Sequence, residues 1–153
     1  YTAIDEYSCW RYVEAFEEHS TYSSTVFLRH FLERFPMPVE CVQTDNGTEF
    51  TKRFSTSRKE TLTLFQRVLQ EYGIRHKLIR PFTPRHNGKV ERSHRKDNER
   101  FYASHTFYSF EDFSRQLQIY NRRDYNQFPM RPLGWKSLQT ILKEFIQYGV
   151  TYV

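Results

Sequence analysis

Residues 38–50 read PVECVQTDNGTEF. The opening PVECVQ predicts a short, buried strand, and Asp45, Asn46 and Glu49 then crowd around Gly47. In an open α/β sheet, ligands collect at the carboxyl ends of strands, and Asp45 stands at such an end. Gly47 lets backbone or substrate come close, and a carboxylate so placed suits a hard divalent cation such as magnesium. A plain turn competes with this reading, because Asn-Gly is a strong hairpin signal. Against a hairpin, Phe50 and Phe54 are four apart, a helical spacing. A calcium loop is excluded, since its sixth position requires glycine and Phe50 occupies it.

The 153 residues amount to one domain's worth of chain, enough for a core without staples. Aromatics at 18% supply core-filling bulk. No stretch approaches the roughly 18 continuous apolar residues of a membrane span. Cys9 and Cys41 form no C-x-x-C pair and suggest no disulfide framework, which fits a reducing compartment. Charge is uneven. Residues 1–75 hold 9 Lys+Arg against 11 Asp+Glu, net −2, whereas residues 76–153 hold 14 against 7, net +7. A basic half of this kind is the footprint of a polyanion binder, although a merely solvated basic surface would look the same.

Outward from the opening stretch, YTAIDEYSCWRYVEAF (1–16) predicts two strands joined by a polar turn. STYSSTVFLRHFLERF (20–35) predicts a helix, with Phe27, Leu28, Phe31, Leu32 and Phe35 at helical spacing and Ser20 or Ser23 as its cap. KRFSTSRK (52–59) is a polar, basic loop. ETLTLFQRVLQEYG (60–73) is a second amphipathic helix, burying Leu62, Phe65, Leu69 and Tyr72 and stopped by Gly73. IRHKLIRPF (74–82) is a further strand. SFEDFSRQLQIYNRRDYN (109–126) is a helix with a capping-box-like start at Ser109 and Asp112, and a short amphipathic helix closes the chain. The order β-β-α-β-α-β-α-α-α predicts an α/β fold with an antiparallel hairpin at the opening edge of its sheet.

The seventh element is different. From Arg85 to Arg100 only Val90 is strongly apolar, yet Lys89 onward is rich in helix formers. Burial of apolar surface cannot hold such a helix, so its polar face has another task. On a helix through 88–100, Glu91, His94, Arg95 and Asn98 share one face. Glu91 is then either a site carboxylate or the partner of Arg95. His86 and His94 lack cysteines at zinc-ligand spacing.

VQTDNGTEF, followed by YGIRHKLIRPFTPRHNGKVERSHR (72–95), resembles the catalytic core shared by retroviral integrases and bacterial insertion-sequence transposases. YNRRDYNQFPMRPLGWKS (120–137) is similar to the closing segment of that family, and the likeness runs from Tyr1 to about residue 140. The resemblance implies a ribonuclease H-like α/β fold, a mixed sheet flanked by helices, with three metal-holding carboxylates. Asp45 matches the second Asp of that set and Glu91 the Glu, with 45 residues between them, longer than the short form of the motif. The family's first Asp and first strand would lie upstream of Tyr1; Asp5 falls at a turn position and is not assigned. The resemblance further implies two Mg2+ or Mn2+ ions, with DNA (element ends and target) as partner. It implies metal-dependent DNA cleavage and strand transfer by a homo-oligomer, in a bacterial cytoplasm at the nucleoid. Lys89, Arg92, Arg95, Lys96 and Arg100 would meet phosphates, and Asn87 with Gly88 would start the helix close to the DNA, where backbone N–H groups favour anions. A nuclease that only hydrolyses and a non-catalytic nucleic-acid-binding domain are the alternatives.

Overall fold

The computed structural model describes residues 1–52, 61–80 and 88–149. They pack as two compact units, one of residues 16–88 and one of residues 1–15 with 89–153. No helix among the described residues is long and apolar enough to cross a membrane.

In the unit of residues 16–88, α1 (Thr21–Arg34) starts at Ser20, whose side chain accepts the Ser23 N–H. It ends ahead of Pro36 and Pro38, which cannot continue a helix. Of the apolar positions anticipated from spacing, Phe27, Leu28 and Phe31 bury, whereas Leu32 and Phe35 are half-buried. β3 (Cys41–Thr44) then pairs in parallel with β4 (Arg75–Leu78), the register running from Cys41↔Arg75 to Thr44↔Leu78. The parallel ladder excludes a hairpin at Asn46-Gly47, because antiparallel strands alone can be joined by a tight turn. β3 is less buried than its composition suggests. Cys41 is exposed and only Thr44 is buried.

The crossover between these strands carries α2 (Leu64–Glu71). Thr63 and Gln66 form a reciprocal capping box at its start. At its end Gly73, with φ of 67°, donates to Gln70 O, while Ile74 N–H reaches Leu69 O at 2.8 Å. These two bonds make the glycine stop expected at this position. The helix is shorter than its periodicity suggested. Leu62 precedes the cap and Tyr72 follows the last turn, so both are exposed, and Phe65, Val68 and Leu69 form the buried face. Of the basic loop at 52–59, only Lys52 lies within the described residues, its Nζ donating to Thr61 Oγ1 at 2.7 Å.

In the other unit, β1 (Thr2–Ile4) and β2 (Arg11–Val13) form the anticipated antiparallel hairpin. Among the described residues the strands form two separate two-stranded ladders rather than one sheet. α3 (Gly88–Asp97) passes into a π-helical turn over Asn98–Tyr102. That wider turn buries Phe101 completely, against Val13, Leu117 and Tyr120. α4 (Phe110–Tyr120) is capped by Ser109, and a second π-helical turn, Asn121–Asn126, prolongs it. α5 (Leu138–Tyr148) starts at the Ser137 cap and stops at Gly149.

α3 shows how a helix without an apolar face is held. Its buried residues are Ser93 and Asp97. Asp97 receives Nη1 of Arg11 on both carboxylate oxygens at 2.8 Å, and the Arg11 side chain is 0% exposed. Arg11 Nε donates to Asn121 Oδ1 at 2.7 Å. The Arg11 backbone is paired in turn: its N–H with Asn126 Oδ1, its carbonyl with the side-chain amides of Asn121 and Asn126. Arg11 Nη2 has no hydrogen-bond partner among the described residues. The ring of Tyr125 lies 3.8 Å from the guanidinium carbon, offering its negative face.

Candidate functional site

Asp45 directly follows β3, and its loop is tied to β4. Ile79 N–H donates to Thr44 O at 3.0 Å, and Asn46 Nδ2 donates to Ile79 O at 3.1 Å. The Thr44 hydroxyl donates to Asp45 O and also meets His76 Nε2 at 2.9 Å. With the hydroxyl proton engaged at Asp45, the imidazole N–H is the donor toward Thr44. The Asp45 carboxylate is exposed, and its Oδ1 accepts the Gly47 N–H at 3.0 Å, a short Asx turn that sets its direction.

Gly47 has a steric purpose. A Cβ there would lie 2.5 Å from Glu49 Oε2. Glu49 is 7% exposed and binds the surface residue His19, Nε2 to Oε1, at 2.6 Å. What comes close to Gly47 is therefore a side chain of its own motif. Gly47→Ala is expected to cost about 1–3 kcal/mol by overpacking. Combining it with Glu49→Ser, which removes the obstructing carboxylate, should return part of that loss in thermal melts.

Burial holds His76 below the ordinary imidazole range. The unfolded chain then binds a proton more readily than the folded one. The His76 contribution is fully present above the ordinary value of 6.5 and is lost as pH falls through it toward the lower folded-state value. His76→Gln is expected to flatten the fall in melting temperature between pH 7.5 and 5.5, measured beside the unsubstituted protein.

Glu91 lies in the first turn of α3, where a carboxylate complements the helix dipole. It shares an exposed face with His94, Arg95 and Asn98. Among the described residues no ion pair joins Glu91 to Arg95, so the expected i, i+4 alternative is not formed. His94 meets Thr2 Oγ1 at 3.4 Å, and burial, reinforced by Arg11, lowers its pKa despite Asp97 and Glu91.

The cations along α3 differ. Lys89 is engaged by Glu6, with its ammonium 2.8 Å from Oε2 and a further bond to the Glu6 carbonyl. Burial opposes its charge, but Glu6 together with Cys9 outweighs that and raises its pKa. Lys96 is half-buried, 5.9 Å from the Tyr125 ring. Arg92, Arg95 and Arg100 are exposed and form no ion pair among the described residues. Asn87 and His86 lie outside the described residues. Asp5 holds the β1–β2 turn, its Oδ2 accepting both the N–H and the hydroxyl of Ser8 at 2.7 and 2.6 Å.

Asp45 belongs to the unit of residues 16–88 and Glu91 to the other. Asp45 Oδ2 and both Glu91 oxygens make no hydrogen bond or ion pair among the described residues. Hard oxygen donors unclaimed by protein cations are the ligand type that magnesium and manganese take, so the donor chemistry fits. No three His, Cys, Asp or Glu side chains among the described residues gather closely enough to hold an ion together. Sequence reasoning missed Arg11, Asp97 and the two asparagines; a lone arginine inside the aromatic and β-branched strand WRYV was the available signal.

No curated protein matches this sequence. The crystal structure of the catalytic core domain of BIV integrase is similar, with a TM-score of 0.70 at 18% identity over 97% of this chain and 87% of that one. The fold is accordingly that of an integrase catalytic core, ribonuclease H-like, with small sheets flanked by helices. Residues 72–136 match one profile described as integrase core domain, and residues 1–84, more than half the chain, match another. The chain belongs to the integrase core domain family.

Proposed function

We propose that the protein catalyses metal-dependent DNA cleavage and strand transfer, with Asp45 and Glu91 as two of its metal-holding carboxylates. Family membership implies a polynucleotidyl transferase acting on DNA, a class generally dependent on divalent metal. The observation carrying the finer reading is that both motif carboxylates are exposed and unpaired by protein cations at the positions where the family pattern needs them. In the reaction, a DNA 3′-hydroxyl forms a new P–O bond to a second strand, and the target's P–O3′ bond breaks. The hydroxyl proton passes to solvent, and the departing 3′-oxygen takes one up from solvent to become the new free 3′-hydroxyl. Magnesium or manganese, when bound, would stabilise charge on the attacking and departing oxygens.

The chain's own groups aim and hold. The Gly47 N–H orients the Asp45 carboxylate, and the ties from Ile79, Asn46 and His76 keep its loop at the end of β4. Asp97 anchors α3 through Arg11 and so holds the helix that presents Glu91. Arg92, Arg95 and Lys96 are the proposed phosphate contacts, positioning DNA without reading its sequence. Lys89 reaches DNA only by leaving Glu6.

The test is analysis of products from a labelled DNA end incubated with target duplex and Mg2+. Joined strands are expected. Cut strands without joined ones would instead indicate a nuclease that only hydrolyses.

A further inference from the structure

The segment after the second π-helical turn holds an aromatic side chain where folding alone would not keep one. Met130 N–H and Lys136 O pair at 3.0 Å, closing a loop whose tip is Arg131-Pro132-Leu133-Gly134-Trp135. Lys136 N–H donates to Leu133 O at 3.2 Å, and Gly134 and Trp135 between them have φ of 62° and 64°. Two successive left-handed residues under such a bond form a type I′ turn, which strongly favours Gly, Asn or Asp at both central positions. A tryptophan there is a backbone outlier, and a bulky residue kept in that region costs about 1–3 kcal/mol.

The strain is not offset by burial. Trp135 is 70% exposed. Among the described residues its ring makes no aromatic, cation–π or hydrogen-bond contact. The backbone around it is over-determined instead: Trp135 N–H and Leu133 N–H both donate to Met130 O, and Gly134 N–H donates to Arg131 O. Lys136 is clamped to Glu144 at 2.7 Å, fixing the turn to α5. The result is a fixed backbone carrying an outward-facing indole. Its surroundings are basic: residues 122–136 carry Arg122, Arg123, Arg131 and Lys136 against Asp124 alone, and the three arginines are exposed. Phe128, 51% exposed, is a second aromatic in the same stretch.

We infer that the Trp135 turn is a stacking platform for an unpaired DNA base, with Arg131 meeting the adjoining phosphate. This deepens the strand-transfer reading and rests on it. An exposed aromatic interleaved with unpaired cations is how proteins hold single strands, because every base has a π face while duplex bases are already stacked. A second copy of the chain is disfavoured as occupant. An isologous contact would set two segments of net charge +2 (3 − 1) against each other, Lys136 being paired with Glu144.

The experiment measures binding of a labelled oligo-dT and of a duplex of equal length by the whole protein, using fluorescence anisotropy. Trp135→Ala is expected to weaken oligo-dT binding by about 5- to 150-fold, the effect of losing one stacked base, and to leave duplex binding within about twofold. Trp135→Phe should retain most of the affinity. Trp135→Gly separates the ring from the fold. It relieves the left-handed strain, so it should melt no lower than the unsubstituted protein while losing oligo-dT binding as the alanine variant does. Arg131→Gln should reduce the salt slope for the single strand by about 0.7, one phosphate's worth. Equal oligo-dT affinity in Trp135→Ala and the parent, with duplex binding intact, would overturn the platform and leave the strand-transfer reading standing. A change in oligomeric state in place of a change in affinity would overturn it in favour of a protein contact. Failure to bind either DNA would overturn both.

Discussion

Asp97→Ala is expected to destabilise the protein by about 3–5 kcal/mol in urea denaturation, because it strands a guanidinium that water cannot reach. Arg11 is 0% exposed, and its Nη1 divides between the two Asp97 oxygens at equal 2.8 Å distances. Without that carboxylate, Arg11 keeps one side-chain hydrogen bond, to Asn121, and the face of Tyr125. Neither neutralises a full charge. Removing both charges tells the pair's worth apart from the cost of breaking it. Arg11→Met with Asp97→Leu should recover most of the loss, since well-packed apolar replacements of buried ion pairs are often neutral. Recovery should stay incomplete, because Asn121 Oδ1 loses its donor. The backbone of residue 11 would still be held by Asn121 and Asn126. A loss below about 1 kcal/mol in Asp97→Ala would mean that the clamp does not hold α3.

Asp45→Asn and Glu91→Gln are each expected to lower strand transfer by about 1,000-fold or more. A metal ion contributes several kcal/mol of transition-state charge stabilisation, and roughly 4 kcal/mol corresponds to three decades in rate. Both substitutions preserve shape and remove one negative charge. Both positions are exposed and free of ion pairs among the described residues, so stability should change by no more than about 0.5 kcal/mol. Duplex affinity should hold or rise slightly, since each variant takes a negative charge from the proposed DNA-facing surface. The double variant should be hardly worse than either single one, as residues acting as a unit are not additive.

Much of this was readable in the residues, for local reasons. α1, α2 and α4 announce themselves by apolar spacing and by Ser20, Gly73 and Ser109, all within one turn of what they cap, whereas the Thr63 cap of α2 was not read from the sequence. Asp45 and Glu91 stood out as candidates because each sits in a short, distinctive motif. What stayed hidden is non-local. Arg11 meets partners 86 to 115 residues away, and no window of sequence joins them. The helix without an apolar face was puzzling for the same reason, since its anchor is a buried ion pair formed across the chain. Glu49 was counted among the residues around Gly47, but its burial against that glycine and its bond to His19 depend on how residues 16–52 fold back. Strand pairing was likewise only half legible: composition marks the strands, whereas which edges meet is decided by packing.

The most direct test offers the whole protein a labelled branched DNA that mimics a strand-transfer product, with Mn2+, beside Asp45→Asn and Glu91→Gln, while duplex binding is followed in the same samples. Metal-dependent splicing by the parent, abolished in both variants with DNA binding retained, is the predicted result. Splicing at the parental rate in either variant would contradict the assignment of Asp45 and Glu91 as its catalytic carboxylates.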